Sequence, residues 1–136
     1  MELKAVALLL ALASVLLRPA ACGRTLPTGK LILAYATECD SKVVDEAIAG
    51  VNVVIWFSAG LVSTGGQPTV SFGLNTTCIA EVAAALRARA LPTAHMLSIG
   101  GWDAPHPNTS FSGEEWWDAW HRWNSEIAVP SLGFDG

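Results

Sequence analysis

The chain has 136 residues, 51% hydrophobic and 15% charged, with a formal net charge of −4 at pH 7. This balance excludes a disordered chain and leaves room for one sizeable domain at most. With no Lys/Arg stripe it also argues against nucleic acid as a partner. The three histidines and three cysteines show no ligand spacing, so neither a metal nor any other cofactor is expected.

Lys4 precedes an apolar run over residues 5–17, followed by small residues. The run is too short to span a bilayer and has the form of a secretory signal peptide over residues 1–23, with cleavage after Ala21, Cys22 or Gly23. The expected mature product is secreted, is free of the membrane once the signal is cut, and has roughly 114 residues. Two sequons fit that route, Asn75-Thr76-Thr77 and Asn108-Thr109-Ser110, each in a stretch that reads as loop. Cys22 lies at the cleavage boundary, which leaves Cys39 and Cys78 as the candidate disulfide in an oxidising compartment.

A Pro/Gly linker over residues 24–29 leads into the domain proper, residues 30–136. Residues 31–35 form a compact apolar run ending in Thr37, Glu38 and Asp40, and predict the first strand. Asp40 or Ser41 can cap a following helix in which Val44, Ala47 and Ile48 share a face, with Gly50 as the exit. Residues 51–58 are β-branched, aromatic and almost continuously apolar, as a strand covered on both faces should be. The stretch 59–74 carries Gly65-Gly66 and predicts an excursion with a small hairpin around residues 70–72. Asn75 or Thr76 then opens a helix with Ile79, Val82, Ala83 and Leu86 on one face, and Pro92 bars its continuation.

A third strand follows, Ala-His-Met-Leu-Ser-Ile from position 94, and ends at Gly100-Gly101-Trp102. Two glycines at a strand end either permit an unusual backbone angle or let a ligand approach the main chain, and the flat Trp102 ring beside them suits a sugar-binding floor. A tight turn with a packing tryptophan explains the same residues without a ligand. Ser112 and Glu115 have capping-box spacing at the start of a third helix. Trp116, Trp120, Trp123 and Ile127 share its face, and helical spacing alone accounts for them as core. Residues 132–134 begin a fourth strand.

Alternating strands and helices imply parallel strands with crossover helices. An open doubly wound sheet would announce a phosphate site with a Gly-rich turn after its first strand, and residues 35–40 contain no glycine. A (β/α)₈ barrel runs to about 250 residues, so four strands with three helices here would be about half of one.

The pair Leu97-Ser98-Ile99-Gly100-Gly101-Trp102 and, one helix later, Gly133-Phe134-Asp135-Gly136 resembles glycoside hydrolase family 18, the chitinase family. The resemblance implies a TIM-type barrel truncated here at the fourth strand. It also implies retaining hydrolysis of β-1,4-linked N-acetylglucosamine polymers, in which the substrate's own acetamido oxygen attacks the anomeric carbon. In the family an Asp-Gly-x-Asp-x-Asp-x-Glu series supplies the general acid, and Asp135 matches its first, structural Asp. Tyr35 and Ser98 match positions that hydrogen-bond the middle Asp, while Phe57, Gly100, Gly101 and Trp102 match the substrate-facing wall. The general acid falls outside the chain, so an inactive fragment of a hydrolase is expected. A chitinase-like lectin is the alternative, and chitin or N-acetylglucosamine oligosaccharides are the expected partner in either case. Glu38, Asp40 and Asp103 read as solvated loop acids or helix caps, and His95, His106 and His121 as unconnected residues.

Overall fold

The computed structural model describes residues 26–101, 103–104, 106–127 and 133–135. The signal peptide, the start of the linker, Trp102 and Gly136 lie outside the described residues. Within them the fold is mixed α/β, a four-stranded sheet with three α-helices. Its elements are β1 (Leu33–Ala36), α1 (Lys42–Ile48), β2 (Val53–Thr64), β3 (Gln67–Phe72), α2 (Thr76–Ala88), β4 (Ala94–Ile99) and α3 (Gly113–Arg122), the last running on as a π-helical turn, Trp123–Ile127.

β2 organises the sheet. Its first half runs parallel to β1 on one side and β4 on the other, while its second half pairs antiparallel with β3. The strand therefore continues well past the expected end at Ser58, and the predicted small hairpin is one arm of a longer β2–β3 ribbon. Gly65 and Gly66 close that ribbon with φ of 60° and 74°, the double positive φ that a two-residue type I′ turn requires. Below β1, Asn52 does the work of pairing with its side chain. Its Oδ1 accepts from Ile32 N and its Nδ2 donates to Lys30 O, each at 2.9 Å.

Beyond β4 the chain returns beside it, with Asp135 N donating to His95 O at 2.8 Å. The segments that run alongside one another thus follow chain order, β1, β2, β4 and then residues 133–135. The sheet is open, and no closed barrel is formed by the described residues.

Strand alternation gives the sheet two unlike faces. Ala36, Val54, Trp56 and Leu97 point to the helices and join Val43, Ala47, Ile79, Val82, Ala83 and Leu86 in the core. At the hairpin end Phe72, Trp123 and Phe134 close the cluster: Trp123 stacks on Phe134 at 5.9 Å, and Phe72 meets both edge-on. The opposite face carries Leu33, Tyr35, Ile55, Phe57, Met96 and Ser98, none of them fully buried. Continuous apolarity in β2 suggested cover on both sides; this second face is buried at its lower end, at Val53 and Ala94, and opens only above them.

Helix phasing agrees with the sequence in α2, where Ile79, Val82, Ala83 and Leu86 are all buried. In α1 it is rotated. Val43 and Ala47 are buried, Val44 is half-buried and Ile48 is exposed. The start of α1 also differs in detail: Ser41 sits at the N-cap without a side-chain bond, and the Asp40 carboxylate takes the Lys42 N–H at 2.9 Å. In α3, Trp116 and Trp123 are buried and Trp120 is half-buried, so the aromatic stripe is mostly core. The Ile127 side chain lies outside the described residues.

Cys39, just past β1, is joined to Cys78 in the first turn of α2, with Cα atoms 6.2 Å apart. The bridge spans 39 residues of sequence. Closing a loop of that length removes about 4 kcal/mol worth of unfolded-state entropy, a large share of the stability of a small domain.

Candidate functional site

The β4 corner is built by constraint. Gly100 and Gly101 have φ of 79° and 149°, angles that side-chain-bearing residues rarely adopt. At Gly101 a second constraint applies, because an added Cβ would lie 2.9 Å from Cζ of Phe57. The Phe57 ring therefore lies directly over the Gly101 backbone. Phe57 is also the register partner of Ser98, and after it the ladder slips so that Ile99 pairs with Ala59. Phe57, Ser98, Gly100 and Gly101 thus form one contiguous patch at the C-terminal end of the parallel strands.

Tyr35 shares the open face but not the patch. It pairs with Ile55, which in turn pairs with Met96, so it lies two strands from β4, roughly 10 Å across the sheet, and one pleat below Ser98. Tyr35 is 68% exposed.

Asp135 is placed lower still. Its carboxylate accepts the His95 N–H at 2.8 Å while its own N–H binds His95 O. Both bonds lie at the second residue of β4, three residues before Ser98, or about 10 Å down the strand. Tyr35, Ser98 and Asp135 thus lie on neighbouring segments but do not gather around one pocket. The Asp135 carboxylate acts as a clamp that ties the returning chain to β4, which is a structural role.

His95 is the group that sequence reading missed. It is 1% exposed, and Trp56 Nε1 donates to its Nδ1 at 3.2 Å with the two rings nearly coplanar at 11°. An indole nitrogen can only donate, so Nδ1 must be the bare nitrogen, and the proton sits on Nε2, 3.2 Å from Thr93 Oγ1. A lone histidine in an apolar strand gave no sign of this, because its partner Trp56 lies 39 residues away. The contacts make His95 a satisfied core residue rather than a ligand.

The loop acids show no convergence. Asp40 is held by the Lys42 N–H just before α1, and Asp103 follows the corner with φ of 61°. Among the described residues no group of His, Cys, Asp and Glu could hold a metal ion. No helix among them is long and apolar enough to cross a membrane. At Glu115 the Ser112 backbone N–H, helped by the Ser112 side chain, holds the carboxyl below the ordinary range. This is the capping box at work, with Ser112 N to Glu115 Oε2 at 2.6 Å and Glu115 N to Ser112 Oγ at 3.2 Å.

Hollows on the surface do not coincide with one site. One, about 520 Å³, lies between α3 and the sheet end and is walled by Leu61, Ile99, Trp116, Trp117, Trp120, His121 and Phe134. A hollow of about 330 Å³ touches Gly100, Gly101, Ala104 and His106, and a shallow one of about 130 Å³ touches Tyr35, Glu38 and Asp40. Size favours the first as a ligand site, but chemistry does not. Asn124 spends both side-chain atoms on the Phe134 backbone, Ser125 Oγ donates to His121 O, and Asp135 is committed to His95. A binding pocket needs polar groups that converge on a ligand, and with Asn124, Ser125 and Asp135 occupied by the protein this wall keeps only the His121 side chain for that purpose. The glycine corner offers open space beside Gly100, an aromatic ring and the Ser98 side chain together. No family model, curated protein or solved structure matches the chain.

Proposed function

We propose that residues 30–136 form the N-terminal part of a (β/α)₈ barrel of the family 18 glycoside hydrolase type, about its first four strands with three helices, secreted, and that they carry part of a groove for β-1,4-linked N-acetylglucosamine chains. The observation that carries this reading is the open sheet face, where Phe57 and Ser98 sit at the C-terminal ends of parallel strands beside the Gly100-Gly101 corner and Tyr35 shares the face two strands away. In a barrel that face would be the inward one, and ligands bind at the C-terminal ends of its strands. Strand order supports the same reading, since an open doubly wound sheet reverses its order at a switch point and these segments follow chain order throughout.

The chemistry available is recognition. Aromatic rings can cover the apolar face of a pyranose, the Ser98 hydroxyl can donate or accept, and the exposed main chain at the corner can approach an acetamido group. Hydrolysis is not assigned to these residues, because Asp135, the acid of the motif they carry, is committed to His95. Loss of general acid catalysis alone costs roughly 10² to 10⁴ in rate.

The test is a fluorogenic chitobioside together with an affinity measurement on N-acetylglucosamine oligomers. The secreted chain should bind the oligomers weakly and leave the chitobioside intact. Turnover exceeding that of a Ser98→Ala variant would overturn the assignment. A chitinase-like lectin is the second reading, supported by the same binding surface. An extension carrying the full acidic series that binds oligomers but never cleaves them would select it.

A further inference from the structure

The structure describes four asparagines, and their side-chain amides divide into two kinds. Asn52 and Asn124 spend Nδ2 on backbone carbonyls, donating to Lys30 O and Phe134 O. Asn75 and Asn108, the two sequon residues, use only Oδ1. Thr77 N donates to Asn75 Oδ1 at 3.0 Å and Ser110 N to Asn108 Oδ1 at 2.9 Å, and both residues are exposed. Among the described residues neither Nδ2 has a partner, and Nδ2 is the atom that an N-glycan occupies.

Their neighbourhoods differ. Asn75 is the N-cap of α2, its Oδ1 also holds the Cys78 N–H at 3.2 Å, and Cys78 is bridged to Cys39. Asn108 sits in a loop before α3, held through its carbonyl by Trp116 Nε1 at 3.3 Å, with no disulfide nearby.

Glycan transfer forms a bond from Nδ2 to C1 of a sugar carried on a lipid pyrophosphate. The C1–O bond breaks, the pyrophosphate leaves with the electron pair, and one Nδ2 proton goes to a base. The transferring enzyme must enclose the acceptor tripeptide as free chain. At Asn75 that requires residues 75–77 to be out of the helix start, whereas the bridge at Cys78 holds the helix start in place. Once attached, the glycan leaves Oδ1 unaltered and the cap intact.

We propose that Asn75 and Asn108 both carry N-glycans, and that Asn75 is modified only before the Cys39–Cys78 bridge closes, so that disulfide formation sets its occupancy. The proposal rests on the secretory reading of residues 1–23 and is independent of the carbohydrate-binding one.

The full chain, expressed in cells that secrete glycoproteins, tests it by site-resolved mass spectrometry with and without N-glycosidase. Asn108 should be nearly fully occupied and Asn75 partly so. Cys39→Ser should raise Asn75 occupancy at least twofold and leave Asn108 unchanged. A pulse of dithiothreitol during synthesis of the unaltered chain should do the same, independently of how the variant folds. Thr77→Ala should abolish the Asn75 glycan alone. Equal Asn75 occupancy with and without the bridge, or a bare Asn75 beside a glycosylated Asn108, would overturn the proposal. Secretion without any glycan would overturn it while sparing the secretory reading, and retention inside the cell without glycan would overturn both.

Discussion

The two faces of the sheet are built from the same strands and alternate residue by residue, yet they do different things. On the helix side Trp56 is fully buried, hydrogen-bonded to His95 and surrounded by α1, α2 and the hairpin aromatics. One residue along, Phe57 faces the other way, 38% exposed, with its ring over Gly101. A one-residue step separates the element that holds the fold from the element available to a ligand. Stability and recognition in this chain should therefore respond to different substitutions.

The largest separation is expected between Trp56→Ala and Tyr35→Ala. Removing the buried indole leaves a cavity and strips His95 Nδ1 of its donor, for a loss of roughly 3 to 5 kcal/mol by chemical denaturation. Tyr35→Ala should change stability by less than about 0.5 kcal/mol while weakening binding of N-acetylglucosamine oligomers roughly tenfold. Comparable stability losses for the two would break the comparison.

Gly101→Ala sharpens it at the corner. An alanine there must adopt a disfavoured backbone angle and displace the Phe57 ring, which should cost about 1 to 3 kcal/mol and reduce oligomer binding. Pairing it with Phe57→Leu should recover the steric part of the stability and none of the binding. Full recovery of both would show that the ring itself is not used.

Asn75→Ala, measured on protein made without glycans, removes the Oδ1 that serves two N–H groups at the start of α2. A loss of about 1 kcal/mol is expected, with no effect on oligomer binding, because α2 lies on the covered side.

The smallest effect is a pH dependence. Glu115 has its folded-state carboxyl held low by Ser112, so the folded chain keeps the charged form at pH values where the unfolded chain has begun to protonate. The capping contribution is present above the unfolded value and is lost as pH falls through the folded one. Glu115→Gln should flatten the fall of Tm at acidic pH and change little near neutrality. An unaltered acidic slope would remove this role.

How far the sequence revealed this division depended on range. The α2 face, its Asn75 cap and the Ser112–Glu115 box are local patterns of three or four residues and were legible as such. The α1 face was misphased because a seven-residue helix with Val43, Val44, Ala47 and Ile48 offers two overlapping stripes, and only packing against α2 selects between them. The continuation of β2 to Thr64 was hidden because Gly60 and Ser63 weaken any strand pattern, and it is pairing with β3 that extends the strand. The site was legible in composition, as glycines, a serine and aromatics at strand ends, but not in geometry. That Phe57 covers Gly101, and that Asp135 binds His95 rather than approaching Ser98, follows from strand register, which no local pattern encodes.

The central claim, that the open face receives the sugar, is most directly tested by hydrogen–deuterium exchange of the secreted chain with and without an N-acetylglucosamine tetramer. Protection is expected in peptides covering Tyr35, Phe57 and residues 98–101, with α2 and the tryptophan-walled hollow along α3 unchanged. Protection confined to residues 113–125, or none anywhere at saturating tetramer, would contradict it.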